Sequence, residues 1–363
     1  MTPLVSSRDD LKTLQIGRAF AALSVVLYHT NYVMGLPKYF GTDILYLARG
    51  GYSGVHYFFV LSGFVIVLAH YSDLKRPEKV FRFLWKRFRR LYPTLWNALL
   101  LVLLLIGLSP SSGNSVHLLT SGHMYLTILS AFCIFPEKDE VILATEWTLR
   151  HEVLFYLVFA LVIFRPKIGT VLAGVCVIAS LLVPASGLSF PWTFLFSSYN
   201  ILFAFGAGAA FLYKRDVRAC PVAMFFGGAA IFAGTWIFAV YGWDRYSNIR
   251  ETLPDALVNW SFGIGAALMV LGAANIERTR PFGGGKVLVF LGDASYSIYL
   301  VHILALSALC KLSVRFKGHV PDYLLYIAIA AAALLACIAF HLAVEKPLLR
   351  LIPSALPTSR AKQ

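Results

Sequence analysis

Charged side chains are scarce in this chain: Asp, Glu, Lys and Arg together make up 14% of 363 residues, against 58% hydrophobic. With a mean hydropathy of +0.71, that balance leaves too little polar surface for a soluble globule and points to a polytopic membrane protein. Acidic residues are scarcer still, 18 against 32 Lys and Arg, for a net charge of +14. The basic residues lie between apolar runs, where cytoplasmic loops of membrane proteins collect them, which argues against nucleic acid as a partner. Cysteine is sparse too. Cys133, Cys176, Cys220, Cys310 and Cys337 stand far apart with no CxxC or Cys/His spacing, so neither a disulfide framework nor a metal site is expected. The longest hydrophilic stretches, 73–90 and the tail after Glu345, are too short to bury a core. Internal repeats and low-complexity tracts are missing. The first apolar run continues into TNYVMGLPKYF without a small-x-small cleavage site, so it reads as a retained helix and not a signal peptide.

What is present is a series of apolar runs long enough to cross a bilayer, near 16–34, 52–70, 94–110, 147–164, 168–185, 195–213, 219–241, 254–275, 287–312 and 322–344. Ten spans put both termini on one side. Of the 32 lysines and arginines, 22 fall on that side and 8 on the other, with Lys311 at the outer edge of its run among the 8; the remaining two, Arg18 and Arg150, lie within spans. The bias assigns both termini to the cytoplasm. The expected fold is therefore all-α, with about ten transmembrane helices. The uncharged stretch 116–135 is long enough for an eleventh span, but a crossing there would invert every later loop against the charge bias. Its His117, Ser121, His123 and Thr127 are also polar for lipid, so it reads as a re-entrant or partly buried outer segment.

The first span, LQIGRAFAALSVVLYH, carries one arginine and one histidine in an apolar setting. The eleven-residue step from Arg18 to His29 is about three helical turns, which places both on one face roughly 16 Å apart. Ionisable groups inside a span are costly and mark a site or pathway. In the second span, Ser62 and Gly63 interrupt an aromatic run, and the glycine permits close approach of a helix or ligand. The small-residue tracts FAFGAGAAF, FFGGAA and FGIGAA suit helix packing in lipid.

After the second span, KRPEKVFRFLWKRFRRLYP sets Phe81, Leu84, Phe88 and Leu91 at spacings of three and four, with Lys79, Arg82, Lys86, Arg89 and Arg90 mainly on the other side. This reads as a basic amphipathic helix lying along the inner membrane face and ended by Pro93. It either holds anionic lipid and enforces topology or binds a phosphorylated donor.

The fourth span opens EWTLRHEVLFYLVF. Glu152 lies about as deep from the outer end as His29 does, and a carboxylate beside an imidazole can fix its tautomer for general base work. The competing reading, an Arg150–Glu152 ion pair, is weakened because two-residue spacing separates the side chains on a helix. Late in the chain, FLGDASYSIYLVHI places Asp293, Ser295, Tyr296, Tyr299 and His302 in the ninth span, as a hydrated lining or as interhelical hydrogen bonds. His341 and Glu345 read as a capping and loop-fixing pair.

Together these residues resemble the acyltransferase-3 family of bacterial membrane O-acyltransferases, along nearly the whole chain. Arg18 and His29 match its R/K-x10-H motif, Gly54-Val55 and the run from Phe58 to Phe64 its second-span motif, and Arg87-x-x-Arg90 with Pro93 its basic loop. Trp147-Thr148-Leu149, Glu152, Phe155-Tyr156, Gly292, Ser295-Tyr296, Tyr299-Leu300, His302 and Glu345-Lys346-Pro347 follow in order. Departures are Thr148, where serine is commoner, and Gln15 with Gly17 before the arginine; the LQ-x-x-RAxAAL form looks more like the exopolysaccharide branch.

The resemblance implies one membrane acyltransferase domain over 1–350 with a cytoplasmic tail at 351–363. It implies transfer of an acyl group, usually acetyl, from acyl-CoA to a hydroxyl of a cell-surface or lipid-linked saccharide. Acetyl-CoA would be a co-substrate, with no permanently bound cofactor, and membrane lipids and separate polysaccharide-assembly proteins would be partners. Any hydrolase-like domain of the kind fused to some O-antigen members would be a separate protein. Arg18, Arg87 and Arg90 would hold the donor's phosphates. His29 would act as general base or acyl relay, oriented by Glu152, with Ser62, Trp147, Tyr296, Tyr299 and His302 lining the pocket. The rival readings are a transporter or flippase of a lipid-linked sugar, with no thioester chemistry, and a non-catalytic scaffold in polysaccharide assembly, in which His29 is replaceable.

Overall fold

In hydrocarbon the backbone has no water to bond, so apolar runs of this length fold as helices that satisfy N–H and C=O groups internally. A computed structural model describes residues 11–108, 124–137, 142–183, 188–217, 220–242 and 253–353, and contains no strand among them. The helices are α1 Lys12–Gly35, α2 Gly54–His70, α3 Val80–Leu108, α4 Met124–Cys133, α5 Glu146–Phe164 and α6 Pro166–Leu182. They continue with α7 Ser198–Lys214, α8 Pro221–Tyr241, α9 Leu253–Thr279, α10 Lys286–Asp293, α11 Ser295–Ser313 and α12 Asp322–Phe340. A π-turn, His341–Glu345, leads into the short α13, Lys346–Leu351.

Among the described residues, eight helices are long and apolar enough to cross a membrane: α2, α3, α5, α7, α8, α9, α11 and α12. The other two expected spans are helical as well. α1 has the length, 24 residues, but its polar stripe lowers its hydropathy, and α6 has 17 residues. The chain is a polytopic all-helical membrane protein.

The chain divides into two compact units, one of residues 1–72 and 175–338, the other of 73–174 and 339–363. In the first unit α2 packs closely on α7. A side chain at Gly63 would collide with the carbonyl of Phe203, and one at Gly206 with that of Val60. Glycine at both positions lets the backbones touch, the usual way helices associate in lipid. Phe59 meets Tyr199 and Phe203 at 5.6 and 4.9 Å, and Phe64 meets Tyr213 at 5.8 Å. Contacts that ascend together in both helices mean that α2 and α7 run parallel, so an odd number of crossings separates them. α3, α5 and α6 supply three. The expected outer segment 116–135 is described only in part: Met124–Cys133 is helical, and residues 116–123 lie outside the described residues. α1 and α11 are parallel by the same criterion, their contacts ascending from Arg18–Ser295 through His29–His302 to Tyr39–Ser307. At the start of α1, Glu277 of α9 accepts the Lys12 and Thr13 N–H groups, both at 2.9 Å, where a carboxylate complements the helix dipole.

In the second unit, α3 corrects one expectation. The basic segment is no separate interfacial helix ended by Pro93; it forms the first turns of a single 29-residue helix with Pro93 inside it. Proline has no N–H to give the carbonyl of Arg89, four residues back, a loss that membrane helices tolerate. The buried face also differs. Phe83 is fully buried against Tyr156 and Phe159 of α5, whereas Phe81 is exposed. Trp96 donates to the Phe132 carbonyl at 2.9 Å, holding α4 against α3.

Candidate active site

In the first unit the stripe of α1 that carries Arg18 and His29 faces α11. Arg18 donates through Nε and Nη2 to Ser295 Oγ, at 3.0 and 2.9 Å. Eleven residues on, His29 Nδ1 lies 3.0 Å from the Val25 carbonyl and 3.1 Å from His302 Nε2. His302 is fully buried, and its Nδ1 lies 3.0 and 2.8 Å from the carbonyls of Ile298 and Tyr299.

These partners decide the tautomers. A carbonyl oxygen only accepts, so a ring nitrogen bonded to one carries the proton. His302 therefore bears hydrogen on Nδ1 and presents a lone pair on Nε2. His29 likewise bears hydrogen on Nδ1, shared between Val25 O and His302 Nε2, which leaves its own Nε2 as the basic nitrogen. No described residue hydrogen-bonds that nitrogen, and His29 is only half-buried. A histidine held through one nitrogen with the other open is set up to take a proton or attack a carbonyl.

Of the other site candidates, Tyr299 stands beside this pair. Tyr299 sets its ring 6.0 Å from His302 and 6.1 Å from Phe58. Tyr296 is buried on α11, and Ser62 is half-buried on α2. On a different face of α1, Ile16, Gly17, Phe20 and Ser24 line an apolar cavity of about 450 Å³ with Tyr57 and Trp236. None of Ser62, Tyr296, Tyr299 or His302 lines it.

The second unit holds the other candidates. The Arg87 guanidinium stands 5.7 Å from the rings of Phe83 and Tyr156, and the Tyr156 hydroxyl donates to Glu152. Arg90 follows three residues later on α3, half-buried. Arg89 serves the scaffold, donating to the carbonyls of Leu349 and Ile352. Arg150 pairs with Glu146, Nη2 to Oε1 at 2.9 Å, with both side chains buried. Trp147, half-buried, meets His151 edge-on at 6.1 Å.

An arginine and an open-sided histidine on the first helix, followed by an arginine pair and a tyrosine-bonded glutamate, can be compared with known proteins. The family model described as an acyltransferase domain matches residues 11–342. The chain belongs to the acyltransferase-3 family. Among relatives of this acyltransferase is the exopolysaccharide production protein ExoZ of Rhizobium meliloti (strain 1021), 29% identical over 83% of this chain and 90% of its own length. The acyltransferase MdmB of Streptomyces mycarofaciens is 24% identical over 95% of this chain and 93% of its own. The O-acetyltransferase OatA of Staphylococcus aureus is 24% identical over 91% of this chain, which spans 56% of OatA. No solved structure matches.

Sequence reasoning missed two features of this acyltransferase. The docking of Arg18 on Ser295 joins residues 277 apart, and no local pattern encodes it. The separate task of Arg89 did leave a signal: Arg87 and Arg90 share a helix face at a spacing of three, and Arg89 falls off it.

Proposed function

We propose that this acyltransferase moves an acyl group, acetyl in the simplest case, from acyl-CoA on the cytoplasmic side to a hydroxyl of a cell-surface or lipid-linked saccharide. The observation that carries the reading is the state of His29: Nδ1–H engaged, Nε2 open, on the helix that also bears Arg18. In the reaction, His29 Nε2 takes the hydroxyl proton as the sugar oxygen attacks the thioester carbonyl. The CoA thiolate leaves when the tetrahedral intermediate collapses, and it receives the proton back from His29. Arg18, Arg87 and Arg90 are assigned to the donor's phosphates, for which guanidinium is well suited. Glu152, bonded to Tyr156, is the carboxylate assigned to support the base. The names of ExoZ and OatA support a saccharide acceptor and an acetyl group respectively. The charge bias supports a cytoplasmic membrane location with both termini inside.

The test is loss of acetyl-CoA thioester by purified protein supplied with a saccharide fraction from producing cells, wild type beside His29→Ala. Removing a general base costs about 10²–10⁴-fold. Thioester loss in the folded variant above about one per cent of wild type would sink the role of His29.

A further inference from the structure

A second imidazole in the same apolar bundle has no part in the chemistry above. His302 is fully buried on α11, and its Nδ1 proton is committed twice to carbonyls of its own helix, Ile298 and Tyr299. Burying a polar ring at this depth is costly. Helix-to-helix adhesion is a weak return, since such hydrogen bonds within membranes are individually small. What the ring presents to its surroundings is one lone pair on Nε2, and that lone pair faces His29 Nδ1 at 3.1 Å with the rings inclined at 60°.

We propose that His302 is a positioning residue for His29, an imidazole doing what a carboxylate does in other histidine-based sites. The inference rests on His29 being the base. The two acceptors on His29 Nδ1–H divide the task. The Val25 carbonyl, one turn back on the same helix, fixes the tautomer. His302 Nε2, on a different helix, fixes the ring's rotation about its own bond and so the aim of the opposite nitrogen. Proton bookkeeping agrees. When His29 Nε2 takes the sugar proton, Nδ1–H becomes the donor of a cation, and its bond to His302 Nε2 turns charge-assisted. An interaction that strengthens as charge develops lowers the barrier, not merely the ground state. The proton stays on His29, because moving it to Nε2 of His302 would put a cation at a site sealed from water. A neutral partner also spares the bundle a permanent buried carboxylate.

The experiment measures kcat and KM for acetyl-CoA in the purified full-length protein, with the saccharide fraction as acceptor, for wild type, His29→Ala, His302→Ala and His302→Gln. Glutamine is chosen because its side-chain oxygen reaches the position of Nε2 and can accept the same hydrogen bond. Expected is a fall in kcat of about 10- to 100-fold for His302→Ala, the size of one hydrogen bond to a charged group, with KM nearly unchanged. His302→Gln is expected to recover a large part of that loss. If His302→Ala loses folded protein, the glutamine variant carries the test alone: a kcat within about tenfold of wild type supports the inference. Full kcat in His302→Ala beside an inactive His29→Ala would overturn the positioning role and leave the base in place. Equal loss in both His302 variants at unchanged fold would also overturn it. Full activity in His29→Ala would remove the base, and the inference with it.

Discussion

Arg18 aims two guanidinium N–H groups at a single acceptor, Ser295 Oγ, and that hydroxyl belongs to the first residue of α11. The cation on the first helix is thus held by a helix almost 300 residues further along the chain. If Arg18 serves the donor's phosphates, Ser295→Ala leaves the charge in place but loosens its aim. Titrating acetyl-CoA should then show a several-fold rise in KM with a smaller change in kcat, the signature of lost ground-state binding. Arg18→Lys should be worse, since an ammonium cannot reproduce the fork. A KM unmoved by both changes would remove Arg18 from the donor site.

Arg89 and Arg90 are neighbours with different work. Arg90→Ala should raise the KM for acetyl-CoA, and the wild-type affinity should weaken with salt as screened phosphate contacts do. Arg89→Ala should leave the donor constant alone and lower thermal stability in detergent, because two carbonyls at the end of α13 lose their donor. Identical behaviour of the two variants would refute the division.

The Arg150–Glu146 pair is buried within α5. Removing one partner leaves an uncompensated charge and should cost about 3–5 kcal/mol, whereas replacing both by apolar residues of similar size should be close to neutral. Melting curves of Glu146→Leu, Arg150→Met and the double variant would show this as a recovery in the double. A double variant whose loss equals the sum of the two single losses would mean the pair is not coupled.

Orientation is open to direct labelling. In a background with the five cysteines replaced by serine, Lys38→Cys, in the exposed loop after α1, should react with an impermeant maleimide on intact cells. Arg76→Cys, exposed before α3, should react only after the membrane is opened. The opposite pattern would reverse the assignment of the termini and of the donor side.

The helices were legible because length and apolarity are local properties, and a bilayer reads them locally too. Each of the ten expected runs is helical over most of its described residues, and the Arg18–His29 register follows from one number, 3.6 residues per turn. Pro93 misled because its rule comes from soluble helices, where a lost N–H bond and a ring clash usually end the element; in α3 the helix runs through it. Arg150 found Glu146 by ordinary i,i+4 geometry, and the two-residue spacing had already spoken against Glu152. The partners of His29 were not legible in the same way. His302 was visible as a polar residue in an apolar span, but its pairing across 273 positions depends on how α1 and α11 pack.

The parallel contact of α2 with α7 has a consequence for how such chains can change over evolutionary time. Because the two helices are pressed together backbone to backbone through Gly63 and Gly206, α7 can enter the membrane in one direction only. A segment gained or lost between them must therefore alter the number of crossings by an even count, or the later helices would thread upside down. A soluble insertion in the connection between α3 and α5 obeys that parity, whereas a single added hydrophobic helix breaks it. Loops and hairpins are therefore the additions this stretch can take without disturbing α1, the helix that carries Arg18 and His29.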